Sequence, residues 1–148
     1  MPLPKTPLLA VDCVVIDGMR RVLLIRRKNP PYKGMLALPG GFVEIGETVE
    51  AAARRELAEE TGVEAGRLSL VGVYSDPNRD PRAHTCSVAF LTRAKHHHAS
   101  AGDDAEAVEW LGNFRRVEFA FDHRKVVADA FKLMKKIASA SKNHRGVK

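Results

Sequence analysis

Four glutamates and one arginine lie close together in the first half of the chain, in a pattern that could hold a metal ion. Glu56, Glu59 and Glu60 follow Arg55 directly, and Glu47 lies a little upstream. Carboxylates three and four residues apart share one helix face, where like charges repel. A divalent cation would remove that repulsion, and carboxylate oxygens favour Mg²⁺ or Mn²⁺ over Zn²⁺. The alternative is an acidic helix surface neutralised by nearby arginines and lysines.

These glutamates lie in a segment with the composition of a helix. The range Thr48 to Thr61 is rich in alanine, glutamate and arginine and contains neither glycine nor proline. Thr48 is a suitable N-cap, and Gly62 can take the left-handed conformation that ends many helices. An apolar stripe at helical spacing would face the core. It consists of Val49, Ala53 and Leu57. The carboxylates are therefore predicted at the edge of the buried face.

The spacing of these residues identifies a family. From Gly41 to Val63 the chain reads Gly-x5-Glu-x7-Arg-Glu-Leu-x-Glu-Glu-x-Gly-Val. This resembles the Nudix box, and every fixed position matches. The resemblance implies an α/β fold of the Nudix type, an α/β/α sandwich in which helices cover both faces of a mixed central sheet. It also implies hydrolysis of a nucleoside diphosphate linked to another group, with Mg²⁺ as the cofactor and Mn²⁺ as a second possibility.

The resemblance also assigns roles to the charged residues. Glu56, Glu59 and Glu60 are expected to be metal ligands and catalytic residues. Arg55 is expected to hold Glu47 and Glu59 in position without contacting the substrate. Glu47 is either a further metal ligand or only the partner of Arg55.

A general base is still needed, and one acidic cluster outside the box is a candidate. Asp103, Asp104 and Glu106 precede a strand-like segment, so a loop could bring them over the metal. Glu106 is our first choice. A solvated acidic turn is the alternative, and in that case a box glutamate would serve as the base.

A second segment indicates the substrate. The residues SDPNRDPRAH, beginning at Ser75, resemble a downstream marker of ADP-ribose pyrophosphatases, with Ala83 where glycine is usual. The segment FDHRKVVADA, beginning at Phe121, resembles these relatives as well. The resemblance implies cleavage of ADP-ribose to AMP and ribose 5-phosphate. The alternatives are another substrate, such as an oxidised nucleoside triphosphate or a nucleotide sugar, and a non-catalytic domain that senses ADP-ribose.

Cationic side chains are candidates for binding the diphosphate or the terminal ribose. They are Arg26, Arg27, Arg79 and Arg82. Gly40 and Gly41 are further candidates, because paired glycines let the backbone approach a ligand closely. Each arginine on its own could equally be a surface charge.

An adenine nucleotide is expected to stack on aromatic side chains of the protein. The candidates are Tyr32, Phe42 and Tyr74. The small-molecule nucleotide is the expected partner. The resemblance to ADP-ribose pyrophosphatases also implies a homodimer, with the loop from Arg79 to Arg82 near the partner's site.

Size and charge limit the other possibilities. The chain has 148 residues, which suits one Nudix domain over 1–148, and it lacks an apolar run long enough for a membrane span. The net charge of +6 arises entirely from Asp122 to Lys148. We expect a helix with a solvated basic face over Phe121 to Ala138 and a basic, frayed tail over 140–148, with no nucleic acid or membrane partner.

The cysteines and histidines do not predict a zinc site. Cys13 and Cys86 lie within strand-like runs and are expected to be reduced and buried, which is typical of a cytoplasmic protein. His96 to His98 are expected to be solvated residues at the end of a strand.

Six segments have the composition of strands. They are Leu8–Asp17 and Arg21–Lys28, predicted as a hairpin around Gly18, then Leu36–Pro39, Leu68–Ser75, His84–Ala94 and Trp110–Leu111.

Overall fold

Seven strands and two helices make up the computed structural model, which describes residues 1–95, 99, 101–102 and 105–146, without the side chains of Glu106 and Arg145. The elements are β1 Leu8–Val15, β2 Val22–Arg27, β3 Leu36–Ala37, β4 Gly40–Phe42, α1 Val49–Thr61, β5 Ser69–Tyr74, β6 Thr85–Thr92, β7 Ala105–Leu111 and α2 His123–Arg145.

The strands form two hydrogen-bonded sheets. Four strands pair in the order β4-β1-β6-β5, and three pair in the order β3-β2-β7. β1 runs parallel to β6 and antiparallel to β4, so the larger sheet is mixed. The smaller sheet is antiparallel throughout. The predicted mixed α/β fold is therefore confirmed.

The predicted hairpin between the first two strands is wrong. β1 and β2 share one bridge, between Ile16 and Val22, and then enter different sheets. β6 pairs along the whole length of β1, and β4 pairs along part of its other edge, so β1 takes both of its strand partners from later in the chain. The turn between them is held by Asp17, whose carboxylate accepts hydrogen bonds from the backbone N–H groups of Met19 and Arg21.

β1 is apolar on both faces because each face packs against a helix. Side chains alternate between the two faces of a strand. Val11, Cys13 and Val15 pack with the buried residues of α1, such as Leu57. The side chains on the opposite face of β1, including Val14, pack with α2. The sheet therefore lies between two helices, as the α/β/α sandwich requires.

α1 begins and ends as predicted. The Thr48 side chain accepts a hydrogen bond from the N–H of Ala51 at 3.1 Å. Gly62 ends the helix with a φ of 70°, and its N–H donates to the carbonyl of Ala58. The buried face, which includes Ala53 and Leu57, leaves the glutamates at its edge.

α2 and β7 both extend further than expected. β7 begins at Ala105, well before Trp110, and α2 continues to Arg145, past the expected end at Ala138. Every side chain from Lys135 to His144 is exposed, so the last turns of α2 carry their basic residues away from the core. No helix within the described part of the chain is long and apolar enough to cross a membrane. Cys13 is a buried free thiol, and the free thiol of Cys86 is half-buried.

The left-handed conformation of Gly62 gives a test of the helix end. Gly62→Ala should lower the free energy of unfolding by about 1 to 2 kcal/mol, since a Cβ disfavours positive φ. Gly18→Ala is the matched control, because a Cβ there meets no atom within 4 Å and the backbone is not left-handed; its effect should stay within about 0.5 kcal/mol. Urea unfolding measures both, and equal effects would contradict this account.

Candidate functional site

A cavity of about 360 Å³ opens between the sheet, α1 and the start of α2. Most of the residues predicted to form a site line it. They are Arg27, Gly40, Gly41, Phe42, Glu56, Glu60, Arg79 and Arg82. The cavity combines two carboxylates of α1 with cationic and aromatic side chains from distant parts of the chain.

Arg55 joins the box glutamates. Its guanidinium donates twice to Glu47, at 2.6 and 3.1 Å, and donates to Glu56 at 2.8 Å and Glu59 at 3.3 Å. It also donates to the carbonyl oxygen of Phe42 at 3.1 Å. The hydrogen bonds to Glu47 and Glu56 raise the pKa of Arg55 above its ordinary value, although its partial burial acts against them. Arg55 therefore stays charged and holds three carboxylates around one cation.

Glu56 lies against the glycine pair of β4, Gly40 and Gly41. A Cβ placed on Gly41 would lie 2.5 Å from the Glu56 carboxylate, so a larger residue there would displace the Glu56 side chain. Burial raises the pKa of Glu56 above its ordinary value, Arg55 lowers it, and the charges of Glu59 and Glu47 raise it again. The net rise is due chiefly to burial, which Arg55 offsets only in part.

Glu60 contacts the same glycine pair of β4. Its carboxylate accepts a hydrogen bond from the N–H of Gly40 at 3.2 Å and lines the cavity. A Cβ on Gly40 would lie 2.1 Å from the carbonyl oxygen of Val11. Gly40 is thus required by the close approach of β4 to the backbone of β1.

The donor set fits a hard divalent cation. Glu56 and Glu60 line the cavity, and the Glu59 side chain is 61% exposed beside them. Within the described part of the chain, no three carboxylate, imidazole or thiol groups are already gathered as a metal cage, because Arg55 draws Glu56 and Glu59 towards itself. The residues able to hold a metal are therefore Glu56, Glu59 and Glu60, with Glu47 engaged by Arg55.

Two arginines form the cationic wall of the cavity. Arg27 donates to the carbonyl of Pro31 at 2.6 Å, and its guanidinium lies 5.0 Å from the centre of the Phe121 ring. Burial lowers the pKa of Arg27, and the charge of Arg82 lowers it further. Arg82 pairs with Asp80 through two hydrogen bonds, yet its side chain is 47% exposed.

Arg82 also contacts the aromatic residues of the cavity. Its guanidinium lies 5.6 Å from the centre of the Phe42 ring and 5.7 Å from that of Phe121. Phe42 is 43% exposed and lines the cavity with Phe121. A planar group entering here would meet two rings and a guanidinium.

Three predicted substrate residues lie elsewhere. Arg26 donates to the carbonyl of Gly34 and to Glu109, outside the cavity, because adjacent side chains of β2 point to opposite faces. Tyr74 is buried beside α2 and donates its hydroxyl hydrogen to Asp129 at 2.7 Å. Tyr32 packs edge-on against Phe121, with the ring centres 4.9 Å apart, and does not line the cavity.

Sequence reasoning missed a buried polar pair in the cavity wall. Asp12 is 7% exposed in the middle of β1, and Ser87 donates a hydrogen bond of 2.5 Å to it. His123 Nε2 lies 3.4 Å from the Asp12 carboxylate, while His123 Nδ1 accepts the N–H of Leu38 at 3.0 Å. Since Nδ1 accepts, the ring proton is on Nε2, facing Asp12. An aspartate within an apolar strand was the signal that could have identified this pair.

The proposed base cluster is only partly described. Asp103 and Asp104 lie outside the described residues, as does the side chain of Glu106, and His96 to His98 do as well. Gly102, just before them, donates its N–H to the carbonyl oxygen of Glu60 at 2.7 Å. The chain therefore enters β7 against the end of α1 that carries Glu59 and Glu60.

The fold and the box together define a Nudix hydrolase. The chain belongs to the NUDIX domain family, whose model matches residues 6–134. It is 49% identical over 123 residues to the ADP-ribose pyrophosphatase of Methanocaldococcus jannaschii, a match that covers 83% of this chain and 72% of that protein.

Two further relatives have names that concern ADP-ribose. The ADPR responsive transcriptional repressor NtrR of Acinetobacter baylyi is 33% identical, over 85% of this chain and 54% of its own length. The NUDIX domain of Shewanella oneidensis NrtR, solved in complex with ADP ribose, superposes with a TM-score of 0.81. That match has 28% identity and covers 88% of this chain and 90% of that domain.

The buried carboxylate of Asp12 predicts a pH dependence of stability. Burial alone would raise its pKa, but His123, Ser87 and Arg79 together bring the pKa below the ordinary value of 3.8. A lowered folded-state pKa stabilises the protein above the unfolded-state pKa, and this contribution is lost as the pH falls through the folded-state value. Asp12→Asn should therefore be less stable than wild type at pH 7, and the difference should shrink below about pH 4. Urea unfolding over a pH series tests this, and a difference independent of pH would contradict it.

Proposed function

We propose that this Nudix hydrolase cleaves ADP-ribose to AMP and ribose 5-phosphate, using Mg²⁺ held by Glu56, Glu59 and Glu60. The observation that carries the proposal is the combination of cationic and anionic side chains in one cavity. Arg27 and Arg82 line it together with the carboxylates of Glu56 and Glu60. A diphosphate with bound cations would find partners of both signs there.

The two arginines support binding of a diphosphate. Arg27 has no carboxylate partner among its described hydrogen bonds and ion pairs, and the charge of Arg82 destabilises its charged form. An anion between them would relieve that repulsion. Arginine donates in pairs to phosphate oxygens, which suits a diphosphate held along its length.

The carboxylates support hydrolysis. A bound Mg²⁺ would neutralise the diphosphate and lower the pKa of a water molecule. Arg55 holds Glu47 with two hydrogen bonds, which favours a positioning role for both residues over ligation by Glu47. Glu106 remains our candidate for the general base, and the anchoring of Gly102 on Glu60 supports its proximity to α1.

The aromatic side chains support a purine nucleotide. Phe42 and Phe121 line the cavity near Arg82, and stacking on such rings stabilises a flat base. The relative named as an ADP-ribose pyrophosphatase favours the same substrate. Retention of every fixed box position favours hydrolysis over sensing, although one relative is a repressor.

The metal assignment predicts a loss of turnover. Glu59→Gln and Glu60→Gln should each lower kcat at least about 100-fold, because loss of a charged ligand weakens stabilisation of the transition state. Glu50→Gln is the control on the same helix, since Glu50 is exposed in the first turn and does not line the cavity. Steady-state kinetics at saturating Mg²⁺ decides this. Turnover near that of the wild type in both variants would remove the assignment.

The substrate assignment predicts selectivity. Arg82→Ala should lower kcat/KM for ADP-ribose about 10- to 100-fold, the range expected for one charge-assisted contact, and change little for 8-oxo-dGTP. Arg26→Ala, on the opposite face of β2, should leave both values unchanged. Measuring kcat/KM for both substrates tests the proposal. A wild type that prefers the triphosphate, or equal losses on both substrates, would favour the alternative nucleotide.

The homodimer stays a prediction. We propose that two copies associate with the loop from Arg79 to Arg82 near the partner's site, as in the family resemblance. Light scattering at micromolar concentration measures the mass directly. A monomer at that concentration would contradict the expectation without affecting the metal assignment.

A further inference from the structure

The loop between β5 and β6 holds its own shape through two Asp-Pro turns. The Asp76 side chain accepts the N–H of Asn78, and its carbonyl accepts the N–H of Arg79. The Asp80 side chain accepts the N–H of Arg82 in the same way. Hydrogen bonds of this kind fix a turn locally. They do not determine where the loop lies relative to the cavity.

Arg79 ties this loop to the start of α2. Its guanidinium donates to both oxygens of Asp122, at 2.9 and 2.7 Å, and lies 3.7 Å from Asp12. The Arg79 side chain is 5% exposed. Two carboxylates therefore surround one buried cation, so Arg79 offers little attraction to a diphosphate. Arg82 differs, because it is half exposed and has one carboxylate partner.

The segment that pairs with Arg79 has two locally unfavourable features. Asp122 occupies the N-cap position of α2, yet its side chain makes no capping hydrogen bond. The preceding Phe121 has a φ of 52°, a conformation that bulky residues rarely adopt. A bulky residue held in the left-handed region is a mark of functional sites. Here it directs the Phe121 ring to the cavity and the Asp122 carboxylate to Arg79.

We propose that Arg79 and Asp122 form a latch that fixes the 76–82 loop over the cavity. Arg79 is then a positioning residue for Arg82 and makes no contact with substrate. The inference rests on the proposed function, where Arg82 binds the diphosphate. It replaces the expectation that Arg79 itself contacts the substrate.

The test combines single and double variants in steady-state kinetics with ADP-ribose. Arg79→Ala and Asp122→Ala should each raise KM about 10-fold, as expected for loss of one properly placed contact, and change kcat less than about threefold. The double variant should be no worse than the worse single variant, because both remove the same latch. Arg82→Ala should add less than about threefold in the Asp122→Ala background, since Arg82 is already misplaced.

Three results would overturn the latch. A loss in Arg79→Ala more than about tenfold larger than in Asp122→Ala, retained in the double variant, would indicate direct contact with substrate. An unchanged KM in both single variants would show that the loop needs no latch. A full effect of Arg82→Ala in the Asp122→Ala background would show that the latch does not act through Arg82.

Controls separate this test from loss of folding. Lys95→Ala removes an exposed ion pair with Glu64, outside the cavity, and should leave KM and kcat unchanged. If Arg79→Ala does not fold, Arg79→Lys keeps the charge but cannot donate to both oxygens, and it should still raise KM.

The same measurements distinguish the latch from the proposed function. If the wild type cleaves another nucleotide in place of ADP-ribose, the substrate assignment fails, and the pattern among variants still decides the latch on that nucleotide. If it cleaves ADP-ribose without that pattern, the latch alone fails. If the wild type binds ADP-ribose without cleaving it, the same variants are compared by their Kd for ADP-ribose, measured by calorimetry. A wild type that neither cleaves nor binds a nucleotide contradicts both.

Discussion

Crowding of like charges around Arg55 is the constraint on which the rest of the site depends. Glu47, Glu56 and Glu59 all accept hydrogen bonds from this guanidinium, and burial raises the pKa of Glu56 even though Arg55 lowers it. The helix that carries Glu56 and Glu59 is stabilised independently, by its caps and by Leu57 and its neighbours in the core. The fold can therefore keep neighbouring carboxylates that repel each other, and a bound cation would relieve that repulsion.

The glycine pair of β4, Gly40 and Gly41, brings these carboxylates close to the sheet. Gly40 lies against the backbone of β1, where any side chain would collide, and Gly41 lies against the Glu56 carboxylate. Because β4 pairs with β1 at these residues, the two glycines cannot move away without breaking that pairing. A small backbone shift here would therefore change the positions of Glu56 and Glu60.

Local features of the site could be predicted from sequence, and long-range ones could not. The caps of α1 depend on residues a few positions apart, so spacing alone indicates them. The contacts of Arg55 with Glu47 and Glu59 agree with the expectation from the family resemblance. The choice between Arg26 and Arg27 depends on which face of β2 meets the cavity, which only the assembled sheet decides. The structure places Tyr74 outside the cavity for the same reason. Phe121 and His123 reach the cavity across contacts far apart in sequence, such as that between His123 and Leu38, which no period in the sequence encodes.

The start of α2 supplies cavity residues that lie outside the box. Phe121 contributes a ring, Asp122 holds Arg79, and His123 bonds both Asp12 and the backbone of Leu38. None of these residues belongs to the box, yet together they shape the wall opposite its carboxylates. A change in this segment would alter the position of Arg82 and the aromatic pair without touching Glu56, Glu59 or Glu60. Under the proposed function, the residues that serve hydrolysis and those that serve recognition therefore come from separate parts of the chain that meet at the cavity.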